Sequence, residues 1–203
     1  MKKIDINTWK RAVHFHFFKN FDEPFHSLTF KVDATRAFQN AKSAKKSFFN
    51  FYVHSCLRAV NQLDGFKYRI KNGEVYLCEQ VNVSATMPKG DGTFRFSYVE
   101  YHPDAKVFYQ NMEAEIKHQE ALFPDRNDDE VIHFSALPWI HFTALTHARD
   151  YSIRDSVPKI SVGGLVEEND RMLLPVSVTI HHALADGYDI GLFKDAFQVF
   201  LNE

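Results

Sequence analysis

The chain has 203 residues, 45% of them hydrophobic, and a formal net charge of -2, which suits a globular domain with a sizeable core and argues against a nucleic-acid binder, whose basic face must displace counterions. Two cysteines, Cys56 and Cys78, are too few for a disulfide framework. No stretch reaches the length of a membrane span, and no apolar segment follows the basic start, so a cytoplasmic protein is expected.

In chain order, residues 27–33 alternate polar and apolar as a half-buried strand does. The pattern then turns helical, with Phe49, Val53, Cys56, Val60 and Leu63 on one face. Phe66, Tyr68 and Ile70 alternate up to Asn72-Gly73, after which Val75 and Leu77 resume. Asn-Gly between alternating runs is a strong hairpin signal, because both residues tolerate positive φ. Strands are expected at 81–87 and 93–101, a helix over 104–121 carrying Phe108, Met112 and Ile116 on one face, and an acidic loop at 124–130. Further strands are read at 131–136, 140–146, 158–166 and 171–182, with Glu168-Asn169-Asp170 turning between the last two. A final helix carries Ile190, Phe193, Phe197 and Phe200 inward.

Mixed strands and helices with several hairpins point to an α+β two-layer sandwich, a mixed sheet with helices on one face. No repeat or linker divides residues 1–203, so one domain is expected. No GxGxxG or Walker-type loop occurs. The 20 Phe are more than an ordinary core of this size requires and suit an aromatic pocket or a subunit interface.

The segment from Val176 to Gly187 carries the chemistry. Val176, Val178 and Ile180 alternate towards one face; if the strand continues, His182 follows them and His181 points away. A histidine at the end of an apolar strand face is partly desolvated, which favours its neutral, basic form. Asp186 and Gly187 then open a helix. An isolated histidine is usually a satisfied core residue, but His-x-x-x-Asp-Gly at a strand end, after a second His, weakens that reading sharply.

That pattern resembles enzymes that move acyl groups from thioesters to alcohols or amines: chloramphenicol acetyltransferases, dihydrolipoyl acyltransferases and condensation domains. Ser135-Ala136-Leu137-Pro138-Trp139 chooses among them, being similar to the Ser-Ala-Leu-Pro-Trp segment of type A chloramphenicol acetyltransferases. Trp9, Arg11, His14, Phe15 and Phe17, the Leu122-Phe123-Pro124 run, and Leu173 to Val178 agree in order and spacing, so the resemblance covers nearly the whole chain.

The resemblance implies an O-acetyltransferase that uses acetyl-CoA and acetylates chloramphenicol, without a metal, as a homotrimer with active sites between subunits. His182 would be the general base and Ser135 the donor to the oxyanion. Asp186 would pair with Arg11 in a buried bidentate contact that fixes the turn carrying His182, and not orient the base. Phe18, Phe94, Phe123, Leu145 and Ser161 match the acceptor pocket, and Trp139 would pack on the pantetheine arm. Phe18 stands in place of the usual Tyr, Leu145 of a Phe and Ser161 of a Thr. On the CoA side Phe49 replaces a Tyr, and Gly164 and Leu165 stand where many members have Lys and Tyr. These changes leave open a same-fold enzyme acting on another hydroxyl compound. A Ser-His-Asp hydrolase is disfavoured because Ser135 lies in no Gly-x-Ser-x-Gly elbow. A metal site built on His14, His16, His181 and His182 with Asp186 or Asp189 is disfavoured because adjacent strand histidines point apart.

Overall fold

The segment that ends in the paired histidines becomes the longest strand of the main sheet. The computed structural model describes residues 1–117, 122 and 129–203. The elements are β1 (Lys2–Lys3), α1 (Ala12–Phe18), β2 (Phe25–Asp33), α2 (Thr35–Ser43), α3 (Phe48–Gln62), α4 (Asp64–Lys67), β3 (Tyr68–Lys71), β4 (Glu74–Leu77), β5 (Asn82–Pro88), β6 (Phe94–Phe96), α5 (Ala105–Lys117), β7 (Val131–Leu137), β8 (Lys159–Gly163), β9 (Val166–Glu168), β10 (Arg171–His181) and α6 (Gly187–Leu201).

The main sheet runs β2-β10-β8-β7-β5-β6, and β9 also pairs with β10. β10 is antiparallel to β2 and β8, whereas β8–β7 and β7–β5 are parallel. This is the mixed sheet of the expected α+β sandwich. Its apolar face offers Val83, Ala85, Phe134, Ile160, Val176, Val178 and Ile180 to Leu57 and Val60 of α3 and to Phe193 and Phe197 of α6, all buried in one cluster. The alternate positions, Ser135, Ser161, Ser177, Thr179, Lys159 and His181, point to the opposite face.

Residues 138–158 pack against this polar face. Lys159 pairs with Asp155, and the Arg149 guanidinium lies 3.8 Å from the Phe25 ring centroid. A second, small sheet β1-β4-β3 is tied to the first by Arg69. That buried guanidinium donates to the carbonyls of Phe66, Tyr68, Asp129 and Val131, so charge-assisted hydrogen bonds replace a carboxylate partner.

Both turns read from the sequence form with positive φ, at Asn72 and Gly73 and again at Asn169 and Asp170. Residues 140–146 form no strand. β7 and β8 are parallel neighbours, so the chain between them has to cross over and cannot turn back as a hairpin strand. The strand expected at 158–166 breaks into β8 and β9 at Gly164-Leu165. The strand expected at 93–101 is regular only over Phe94–Phe96, because the Ser97 side chain takes both the N–H and the carbonyl of Ala85. Phe66 falls in α4 instead of the hairpin, and α1 and β1 carried no clear periodic signal. The expected end of the fifth helix, 118–121, and most of the loop at 124–130 lie outside the described residues.

The polar face makes stability depend on acidity. Burial, and then Lys159, hold His133 at about 4; burial, and then Arg149, hold His181 at about 4. Both imidazoles return to the ordinary 6.5 on unfolding, so the unfolded chain binds more protons between the two values. Stability is therefore full above about pH 6.5 and falls as the pH drops towards 4, by an expected loss of about 3 kcal/mol for each imidazole. Urea midpoints at a series of pH values check this, and His181→Asn should flatten the slope.

Candidate active site

His182 is the first residue beyond β10, and its N–H donates to the Pro24 carbonyl at 2.8 Å. That bond ties the end of β10 to the residue that precedes β2. The His182 ring stacks on Phe18 at 4.1 Å between centroids and 14° between planes, and lies 4.2 Å from His26 on its own chain. Nδ1 is buried without a hydrogen-bond partner, so Nε2 is the nitrogen an incoming hydroxyl can reach. His181 points away, as expected; it is buried, packs edge-on against Phe25, and accepts the Ala183 N–H at Nδ1.

The turn after His182 is held from two sides. Arg11 Nη1 donates to Asp186 Oδ2 at 2.9 Å, while Nη2 reaches the His182 carbonyl at 3.5 Å. Asp186 is also the N-cap of α6: its Oδ1 accepts the Tyr188 N–H, and Asp189 returns a bond to the Asp186 N–H. The pair is not the buried bidentate contact expected. One guanidinium nitrogen meets one carboxylate oxygen, the side chains are 19% and 32% exposed, and the second oxygen serves the cap. Burial pushes the Asp186 carboxyl up, but the Arg11 bond and the Tyr188 amide outweigh it and hold the group below its usual range.

Ser135 lies elsewhere. It lines a cavity of about 1130 Å³ together with Phe49, Phe94, Trp139, Gly164 and Leu165. The sheet register aligns Ser135 with Ser161 on β8, and Ser161 with Ser177 on β10. His182 lies five residues after Ser177, just past the end of β10, and two strands away, which separates it from Ser135 by about 20 Å within one chain. A histidine side chain does not span that gap, so any reaction using both residues draws them from two copies.

Of the remaining expected residues, Phe94 and Trp139 are 49% and 74% exposed at the cavity mouth. Ser161 is fully buried, with Oγ 3.5 Å from His147 Nε2. Leu145 is half-buried on the crossover, two residues before His147, and Phe123 lies outside the described residues. Gly164 is explained by close approach: a Cβ there would stand 2.6 Å from the Pro138 carbonyl oxygen, and its N–H donates to the Ile140 carbonyl. The described cavity wall includes no lysine or arginine. Among the described residues no three His, Cys, Asp or Glu side chains gather as a metal site, and no helix is long and apolar enough to cross a membrane.

Sequence reasoning passed over two neighbours. His26 shares a site with His182 only through the β2–β10 pairing; both its ring nitrogens are buried without partners, and burial, then His182, keep its pKa below the ordinary value. His147 sits on the misread crossover. Neither belongs to a local motif.

A family profile described as "Chloramphenicol acetyltransferase" matches residues 1–198. Chloramphenicol acetyltransferase 2 of Escherichia coli is 32% identical, over 97% of this chain and 95% of that relative, and its namesake from Haemophilus influenzae is 31% identical over the same shares. A solved chloramphenicol acetyltransferase superposes with a TM-score of 0.89 at 30% identity, covering 98% of this chain and 99% of the other. A probable dihydrolipoamide acetyltransferase from Listeria monocytogenes, at 14% identity and a TM-score of 0.67, shares the fold.

The two duties of Asp186 can be separated. Asn still caps a helix but cannot offer Arg11 a charge. Asp186→Ala should lower stability by about 1–3 kcal/mol and Asp186→Asn by about half as much, read from urea midpoints of the two variants.

Proposed function

The chain belongs to the chloramphenicol acetyltransferase family and is an acyltransferase, and on that footing we propose that it moves the acetyl group of acetyl-CoA to a hydroxyl of chloramphenicol. The observation that carries the reading is His182, with one ring face on Phe18, its carbonyl on Arg11 and Nε2 open to a substrate. His182 Nε2 takes the proton of the acceptor hydroxyl as that oxygen attacks the thioester carbonyl; positioned base catalysis contributes about 10²–10⁴-fold. The Ser135 hydroxyl donates to the oxyanion that forms, and the C–S bond then breaks. His182 returns its proton to the departing CoA sulfur, so the base ends neutral. Asp186 and Arg11 position the turn and transfer no proton.

The cavity beside Ser135 suits the thioester end of CoA: an apolar passage past Trp139, Phe49 and Leu165 accommodates the pantetheine arm. Its described wall offers no cation to the CoA phosphates, which accords with glycine at position 164 and implies weaker nucleotide binding than a lysine would give. Phe18 and Phe94, with Phe123, Leu145 and Ser161, form the acceptor side of this reading. The protein works without a metal, in the cytoplasm, as one domain over residues 1–203.

The reading includes a homotrimer in which each site takes His182 from one subunit and Ser135 from the next. The separation of about 20 Å within one chain supports it, as do the exposed Val13, Phe17, Phe21, Tyr151 and Ile153, since contiguous apolar surface marks association. A second acceptor reading, the same transfer to another hydroxyl compound, rests on the replacements at Phe18, Leu145 and Ser161.

Thiol release from acetyl-CoA in the presence of chloramphenicol tests the reaction. His182→Ala should abolish it and Ser135→Ala should lower turnover by about 10²–10³; silence of the wild-type protein with chloramphenicol and with every other alcohol tried would remove the enzymatic reading. Refolding the two inactive variants together at equal amounts should restore about a quarter of wild-type activity, because each site draws on two subunits at random. No recovery would place both residues in one subunit's site, or outside the reaction.

A further inference from the structure

We infer that His147 is a specificity-determining residue that hydrogen-bonds a second polar group of the acceptor, so that the site favours acceptors with two hydroxyls over mono-alcohols. The inference rests on the acyltransfer reading above and adds a residue to its acceptor side.

His147 lies on the crossover between β7 and β8, two residues after Leu145, and its Nε2 stands 3.5 Å from Ser161 Oγ. Ser161 is register-paired with Ser135 across neighbouring strands, and paired residues sit about 5 Å apart on one face of the sheet. The imidazole is therefore next but one to the hydroxyl proposed to hold the oxyanion. Nδ1 makes no hydrogen bond and is not buried; it is the ring nitrogen open to a ligand.

A neutral imidazole has one donor and one acceptor nitrogen. Burial, and then the ammonium of Lys159, hold the His147 pKa below its ordinary value, so the ring is neutral at neutral pH. With Nε2 turned to a hydroxyl, which can give or take a proton, Nδ1 can serve as donor or acceptor in answer to the ligand. A hydroxyl or an amide meets that requirement; a hydrocarbon does not. An acceptor lacking such a group would cover Nδ1 and leave it unsatisfied, which is how a hydrogen-bonding site rejects an apolar analogue. The contact at 3.5 Å is long for a hydrogen bond and leaves the ring room to adjust.

Two acceptors of matched skeleton separate this role from a structural one: 1-phenyl-1,3-propanediol and 3-phenyl-1-propanol, each assayed by thiol release at fixed acetyl-CoA. The wild-type protein should favour the diol, and His147→Leu should lower kcat/KM for the diol by about tenfold. The mono-alcohol should gain in kcat/KM, because leucine leaves no ring nitrogen to strand, and KM for acetyl-CoA should not change. His147→Asn, which keeps a polar group of smaller reach, should retain part of the preference and guards against a leucine variant that fails to fold. An unchanged diol-to-mono-alcohol ratio in either folded variant, with turnover still dependent on His182, would overturn this inference alone. Absence of His182-dependent turnover on every acceptor, chloramphenicol included, would overturn the acyltransfer reading and this inference with it.

Discussion

The antiparallel ladder between β2 and β10 is the constraint from which the rest of the molecule follows. It runs through nine register pairs, from Leu173 opposite Asp33 to His181 opposite Phe25. Every second residue of β10 faces the helices, and the others face the crossover. Because the ladder persists to the last residue before His182, this residue leaves the sheet in a fixed direction. Pro24, on the approach to β2, then receives its N–H. Phe18 and His26 reach the imidazole from segments joined to the same ladder, one before β2 and one within it. A shift of one residue in this register would turn the apolar side chains of β10 away from the helices and carry His182 out of its stack.

The fold is built with a dry face and a polar face, and the polar one is covered. Ser161 and Ser177 are fully buried, and Ser177 Oγ has no hydrogen-bond partner. The Nε atom of Arg11, Nδ1 of His182 and both nitrogens of His26 are also buried and unpaired. Native interiors keep such groups few, and here four of the atoms lie on three residues that touch or clamp one turn. A concentration of polar atoms at one turn, in place of apolar packing, is what a surface shaped for a reactant offers.

Much of this was legible in the sequence where a local rule operates. Asn72-Gly73 and Asn169-Asp170 take the positive φ that their composition permits, and the apolar periods of α3 and α6 match their buried faces. His182, Asp186 and Arg11 could be picked out because a short motif and a family resemblance mark them. The failures share one cause. Residues 140–146 alternate as a strand does, but the parallel pairing of β7 with β8 left no edge for them. The strand at 93–101 was cut short by one serine side chain competing for backbone partners. His26 and His147 acquire their neighbours only through strand register and through the path of the crossover. No window of sequence contains those relationships.

The close approach at Gly164 restricts which substitutions that wall of the cavity can accept. The Pro138 carbonyl and the His141 ring fill the volume a side chain would need, and that same stretch of chain presents Trp139. Any heritable change that installs a larger residue at position 164 collides with the segment before it can bring a new charge to the cavity. A cationic side chain at this point therefore requires residues 138–141 to move with it. A positive charge on this wall has to come from other positions, and the glycine is held in place by the chain that crosses over it.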